Sequence, residues 1–180
     1  MNKLKLSFLS FFFLFSWFSV NSYAAPVYKV EVLIFENTAG TEIDNEQWPE
    51  LKETPSTFDT VPVTQRGEGL FKELPSSALN LIQVRNKLEK SDKYHVLYHH
   101  GWTQPVFTKD ESTAAWIEIP GVLAGKINLY KNRYLHVSAD LQFNSTEGVV
   151  RLKENRRLKS KELNYLDHPL FGLLIRVVKL

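Results

Sequence analysis

RYLHVSADLQF, residues Arg133–Phe143, alternates without a break: Leu135, Val137, Ala139, Leu141 and Phe143 fall on one side, Tyr134, His136, Ser138, Asp140 and Gln142 on the other. A period of two with one apolar and one polar face is the pattern of an antiparallel strand lying half-buried on a core. Working outward, Lys131-Asn132 marks a turn from a preceding strand, Lys126–Tyr130. Asn144–Gly148 turns the chain again, and Val149–Lys159 reads as the returning strand. Ala114–Ile119 is a shorter strand stopped by Pro120-Gly121, and Leu173–Val178 is a final apolar strand. The second half of the chain is therefore predicted to be an antiparallel sheet.

The first half is more mixed. In YKVEVLIF (Tyr28–Phe35), Tyr28, Val30, Val32 and Ile34 share a face, while Leu33 and Phe35 make the other face apolar toward the end. A strand apolar on both faces belongs in the middle of its sheet. Pro75, Ser76 and Ser77 open a helix in which Ala78, Leu81, Ile82, Arg85 and Leu88 recur at helical spacing up to Lys90, either serine being a suitable cap. Tyr94–His100 then alternates as a strand, and strand–helix–strand favours a right-handed parallel crossover. Between Glu36 and about Leu74 no period is visible. A connection this long in a small domain is functional or loosely held, and Trp48 within it either tacks the loop to the core or faces a ligand. These elements predict an α+β domain over residues 25–180, an antiparallel or mixed β-sheet with one main helix packed on one face, a ferredoxin-like arrangement being one way to build it.

The first 24 residues stand apart. Lys3 and Lys5 precede an apolar run from Leu6 to Val20, and Ser22 and Ala24 take the small positions of a cleavage site. That is the grammar of a secretory signal peptide, and the run is short for a membrane span. The chain carries 22 basic and 20 acidic residues; without Lys3 and Lys5 the remainder is balanced. The balance hides a split, with acidic residues dominating Ala25–Pro62 and basic ones Lys126–Leu180. Such a split steers a partner or lets two parts of one domain attract each other. The sequence has no cysteine, which excludes disulfides, thiolate metal sites, a cysteine nucleophile and an acylated N-terminal cysteine. A periplasmic, freely folded domain without a further membrane span is the expectation.

Motifs of catalysis are missing. His95 and His99, on one face of a regular strand, would stand roughly 13 Å apart, too far for a shared ion, and His99 and His100 point oppositely. Asp167-His168 has no nucleophile elbow to serve, and reads better as the cap of a turn started by Pro169. No phosphate loop or dinucleotide fingerprint occurs. The expectation is a protein that is not an enzyme, with no cofactor, no metal and no nucleic-acid partner. The run Arg151, Lys153, Arg156, Arg157, Lys159, Lys161 has no aromatic interleaving. It is either a charge-protected edge strand, with Arg156 on the face opposite Arg157, or a site for an anionic partner. The most suggestive cluster for ligand recognition is Tyr98–Pro105, where rings, a glycine and an amide suit a glycan or peptide. Trp102 there serves equally well as core. The candidate ligand-binding residues are Tyr98, Trp102 and Gln104, with Arg156, Arg157 and His168 for a stem-peptide carboxylate.

Four stretches, YKVEVLIFEN (Tyr28–Asn37), HHGWTQP (His99–Pro105), NRYLHVSADL (Asn132–Leu141) and above all ELNYLDHPLFGLL (Glu162–Leu174), occur in order along the chain. In these it resembles the CsiV-type periplasmic peptidoglycan-binding proteins of Gammaproteobacteria. The resemblance implies a non-enzymatic envelope protein that binds peptidoglycan and supports wall synthesis and cell shape. It also implies a link to an outer-membrane lipoprotein that activates a penicillin-binding protein. The rival expectation is an envelope adaptor that docks a protein partner and never touches glycan.

Overall fold

Eleven residues, Val27–Asn37, form strand β1, and all but one of Tyr28–Phe35 are buried. The computed structural model describes residues 25–39, 53–63 and 69–180; the leader and Trp48 lie outside these. Strands β2 (Thr60–Pro62) and β3 (Lys72–Glu73) are followed by a 3₁₀ turn, Ser76–Ala78, and helix α1, Ile82–Glu89. Seven further strands complete the chain: β4 (Tyr94–Pro105), β5 (Ala114–Ile119), β6 (Leu123–Lys131), β7 (Leu135–Ser145), β8 (Gly148–Leu158), β9 (Leu163–His168) and β10 (Phe171–Lys179).

They form two five-stranded sheets, ordered β3-β4-β1-β10-β9 and β2-β5-β6-β7-β8. The apolar faces of both meet in one core, with Val30, Val32, Ile34, Ile175 and Val177 from the first and Ile127, Val137, Ala139 and Leu141 from the second. This is a β-sandwich, and it overturns the α+β expectation of one sheet with a helix on its face. Alternation shows which face of a strand is buried but not which sheet the strand joins, so two sheets pressed together read like one.

The crossover expectation fails for a related reason. β1 and β4 are neighbours but antiparallel, with Val30 opposite Trp102 and Asn37 opposite Tyr94. The helix does not link them directly. The chain leaves β1, pairs β2 with β5 in the other sheet, and returns as β3 before α1 leads into β4, which is antiparallel to β3 as well. The central position of β1, between β4 and β10, is as its sequence indicates.

Helix α1 is shorter than its spacing predicts, and neither serine caps it. The cap comes from β1. The buried Glu31 carboxylate accepts the backbone N–H of Asn80 at 2.8 Å and of Leu81 at 2.7 Å, and His99 Nε2 lies 3.0 Å from it. Burial alone would raise this carboxyl, but the bonds from His99, Asn80 and Leu81 outweigh it and hold the pKa at about 2. Gly101 lets the segment lie this close, because a Cβ there would stand 2.8 Å from Leu79 Cδ2. In the second sheet Gly125 has the same role: a Cβ would meet the Asp140 carbonyl oxygen at 2.2 Å. Gly125→Ala must therefore push β6 from β7, and a loss of about 2 kcal/mol or more is expected in a thermal melt.

Candidate functional site

The outer face of the second sheet is the polar side of the alternation read in β7. Cross-strand pairing places Lys126, Asn128 and Tyr130 of β6 beside Asp140, Ser138 and His136 of β7. On the far side stand Lys153, Asn155 and Arg157 of β8. Every pair opposed across an antiparallel ladder shares a face, so these side chains form one surface.

Three contacts order it. The rings of Tyr130 and His136 stack with centroids 5.3 Å apart, and the Tyr130 hydroxyl accepts from Asn155 Nδ2 at 2.7 Å. Next to them the Arg157 guanidinium sits 3.4 Å from the centroid of the Tyr134 ring, which is 38 % exposed. A cation over an aromatic face is held in place while its outer edge stays open to an anion. Toward the other end Arg151 grips Asp140 through Nε at 2.6 Å and Nη2 at 2.8 Å, a two-point bond that lowers the Asp140 pKa.

The same Arg151 donates from Nη1 to the Glu53 carbonyl at 3.0 Å. Seven residues further on, Thr60 pairs with Ala114 at the opposite edge of the sheet. Seven residues reach roughly 25 Å and four strand spacings take about 19 Å, so Glu53–Asp59 must run across this face with little slack. Pro55 is buried along the way. An acidic first segment thus meets the basic second half, as the charge split allows. Asn128 keeps one amide function busy, donating to Ser112 Oγ at 2.9 Å, while its Oδ1 is buried without a partner.

The six residues expected from the sequence do not converge. Arg157 lies on the face just described. Arg156 points the opposite way, as the alternation required, to the seam between sheets, where it pairs with Glu154 at 2.7 Å and donates to the Tyr165 carbonyl of β9. β8 is an edge strand, the first of the two readings of its basic run. Trp102 and Gln104 are buried in the core, and the indole N–H donates to Gln104 Oε1 at 2.7 Å. Of the roles open to Trp102, the structure takes core filling, and burial keeps both side chains from the surface. Tyr98 is partly buried, its ring 4.5 Å from that of His100, with burial and the nearby Glu73 raising its pKa. His168 accepts the Leu170 N–H on Nδ1 at 3.2 Å and packs 5.3 Å from Phe171. It caps the β9–β10 turn, and burial lowers its pKa.

The histidines of β4 each have their own carboxylate: His95 with Glu36 at 3.6 Å, His99 with Glu31 at 3.0 Å and His100 with Glu73 at 2.8 Å. A register shift in β4 pairs Ile34 with Tyr98 but Phe35 with Val96. That bulge puts His95 and His99 on opposite faces, a correction to the regular strand assumed above. Among the described residues no three metal-ligating side chains gather. The face residues Tyr130, Tyr134, Asn128 and Asn155 were not singled out in the sequence. The signal for them was the polar half of the alternation running into β7 and of its neighbours β6 and β8, which reads as ordinary solvent exposure until the pairing is known.

Fold and surface together define a two-sheet β-sandwich whose second sheet has a basic and aromatic outer face, crossed by Glu53–Asp59 and exposed at Tyr134. The chain belongs to the CsiV family of peptidoglycan-binding proteins, whose family model matches residues 4–180. No curated protein and no solved structure matches it. Among the described residues no helix is long and apolar enough to cross a membrane.

Proposed function

We propose that this protein is exported to the periplasm after loss of residues 1–24, binds peptidoglycan on the outer face of the second sheet, and supports wall synthesis and cell shape without cutting the wall. The reading extends to docking on an outer-membrane lipoprotein that activates a penicillin-binding protein. The observation that carries the site is Arg157 laid over the exposed Tyr134 ring beside the stacked Tyr130–His136 pair. Aromatic faces cover the C–H faces of sugars, amides match hydroxyl and acetamido groups, and a pre-positioned guanidinium receives a stem-peptide carboxylate in two-point fashion. A flat sheet face suits an extended polymer better than a closed pocket does.

The test is co-sedimentation with purified sacculi at several salt concentrations. Wild type is expected to pellet, and Tyr134→Ala with Arg157→Ala to bind about tenfold more weakly, as loss of an aromatic–cation anchor that a ligand covers typically does. A double variant that pellets like wild type would remove the site. Wild type that stays in the supernatant would leave the adaptor reading standing instead. Incubation with sacculi is expected to release no muropeptides.

A further inference from the structure

One end of the same face has a small, open depression at the β5–β6 turn, lined by Glu118, Gly121, Val122, Ala124, Gln142 and Asn144 among others. The polar atoms left wholly without a partner are oxygens, since each nitrogen gives at least one bond: Asn144 gives its backbone N–H to the Val122 carbonyl at 2.8 Å and one Nδ2 hydrogen to the Gly121 carbonyl at 3.1 Å. Gln142 Nε2 points at Asn144 Oδ1, 3.4 Å away. Acceptors remain. Gln142 Oε1 is buried with no hydrogen-bond partner. Glu118 takes the Trp116 indole N–H on Oε2 at 3.1 Å, which fixes the carboxylate while leaving its other oxygen open. No basic group comes within ion-pair reach of Glu118 among the described residues. Arg151, the cross-strand neighbour of Gln142, is neutralised by its two bonds to Asp140.

A buried acceptor beside a fixed, unpaired carboxylate asks for a ligand that brings several N–H donors and a positive charge. We propose that this depression is a subsite for a primary ammonium group, with Glu118 as counter-charge and Gln142 Oε1 as hydrogen-bond acceptor. Resting on the sheet-face reading above, the group it takes is the free side-chain amine of the diamino acid in stems that are not cross-linked. An ammonium has three donors and no acceptor, matching the two acceptors that lack a full set of partners, Gln142 Oε1 and the second Glu118 oxygen. The site thereby gives the protein a preference for wall whose stems are still open to cross-linking.

The measurement is the affinity of the full-length mature protein for native sacculi and for sacculi whose amines have been acetylated. Acetylation makes the sacculus more anionic, so a merely basic protein would bind it more tightly. Wild type is expected to bind it at least about fivefold more weakly, the loss of one charge-assisted contact. Glu118→Gln is expected to lose a similar factor on native sacculi and to become indifferent to acetylation. Glu118 is exposed, so this variant folds. Equal or tighter binding of wild type to acetylated sacculi would overturn the subsite while leaving the sheet-face reading intact. Failure of wild type to bind either preparation would overturn both.

Discussion

Glu31→Ala is expected to destabilise the domain by about 4 kcal/mol, the range typical for removing one partner of a buried charged hydrogen-bond network. The carboxylate is 1 % exposed and serves three groups at once: His99, and the Asn80 and Leu81 N–H groups at the start of α1. Alanine would leave those donors buried without an acceptor, and α1 has no side-chain cap of its own to replace it. A urea titration followed by tryptophan fluorescence measures the loss.

Its pH dependence has a definite sign. The folded pKa of about 2 lies below the usual 4.5. Glu31 therefore contributes stability that is fully present above about pH 5 and is lost as the pH falls toward 2, amounting to about 3 kcal/mol. Glu31→Gln cannot titrate, so its stability should fall less steeply than that of wild type over this window. Parallel curves for the two proteins would refute the assignment.

Trp102→Ala is expected to cost about 4 kcal/mol, the usual price of emptying an aromatic site in a core that cannot collapse. Trp102 is fully buried in the core, and its loss strands Gln104 Oε1 as well. Trp102→Phe keeps most of the volume and forfeits the hydrogen bond, so a smaller loss of about 2 kcal/mol follows. The folded Trp102→Phe protein should pellet with sacculi as wild type does. A binding defect without a stability defect would return Trp102 to the ligand site.

The sequence made some strands plain and concealed their partners. β7 and β1 were legible because each alternates over a length that only a strand explains, and the apolar run of β1 on both faces announced its central place. Residues 163–168 were harder. Only Leu166 of β9 is buried, so an edge strand with one core residue gave no period to read. Ser76-Ser77 suggested a helix start, yet the true cap is Glu31, 49 residues away from Asn80, a relation no local pattern contains. Trp102 and Gln104 look like ligand chemistry in one dimension, since burial of a strand end depends on which sheet covers it. The face proposed for binding was hidden for the opposite reason: its residues are the ordinary polar half of three strands, and only pairing gathers Tyr130, His136, Asn155 and Arg157.

The pairing of β1 with both β4 and β10 bears on when this chain can fold. A first strand whose two neighbours lie in the middle and at the far end of the polypeptide cannot settle while synthesis is under way, and such distant pairings form slowly. A threaded, unfolded chain is what a secretion channel accepts. On the export reading proposed above, the topology keeps the nascent polypeptide passable until β10 has crossed.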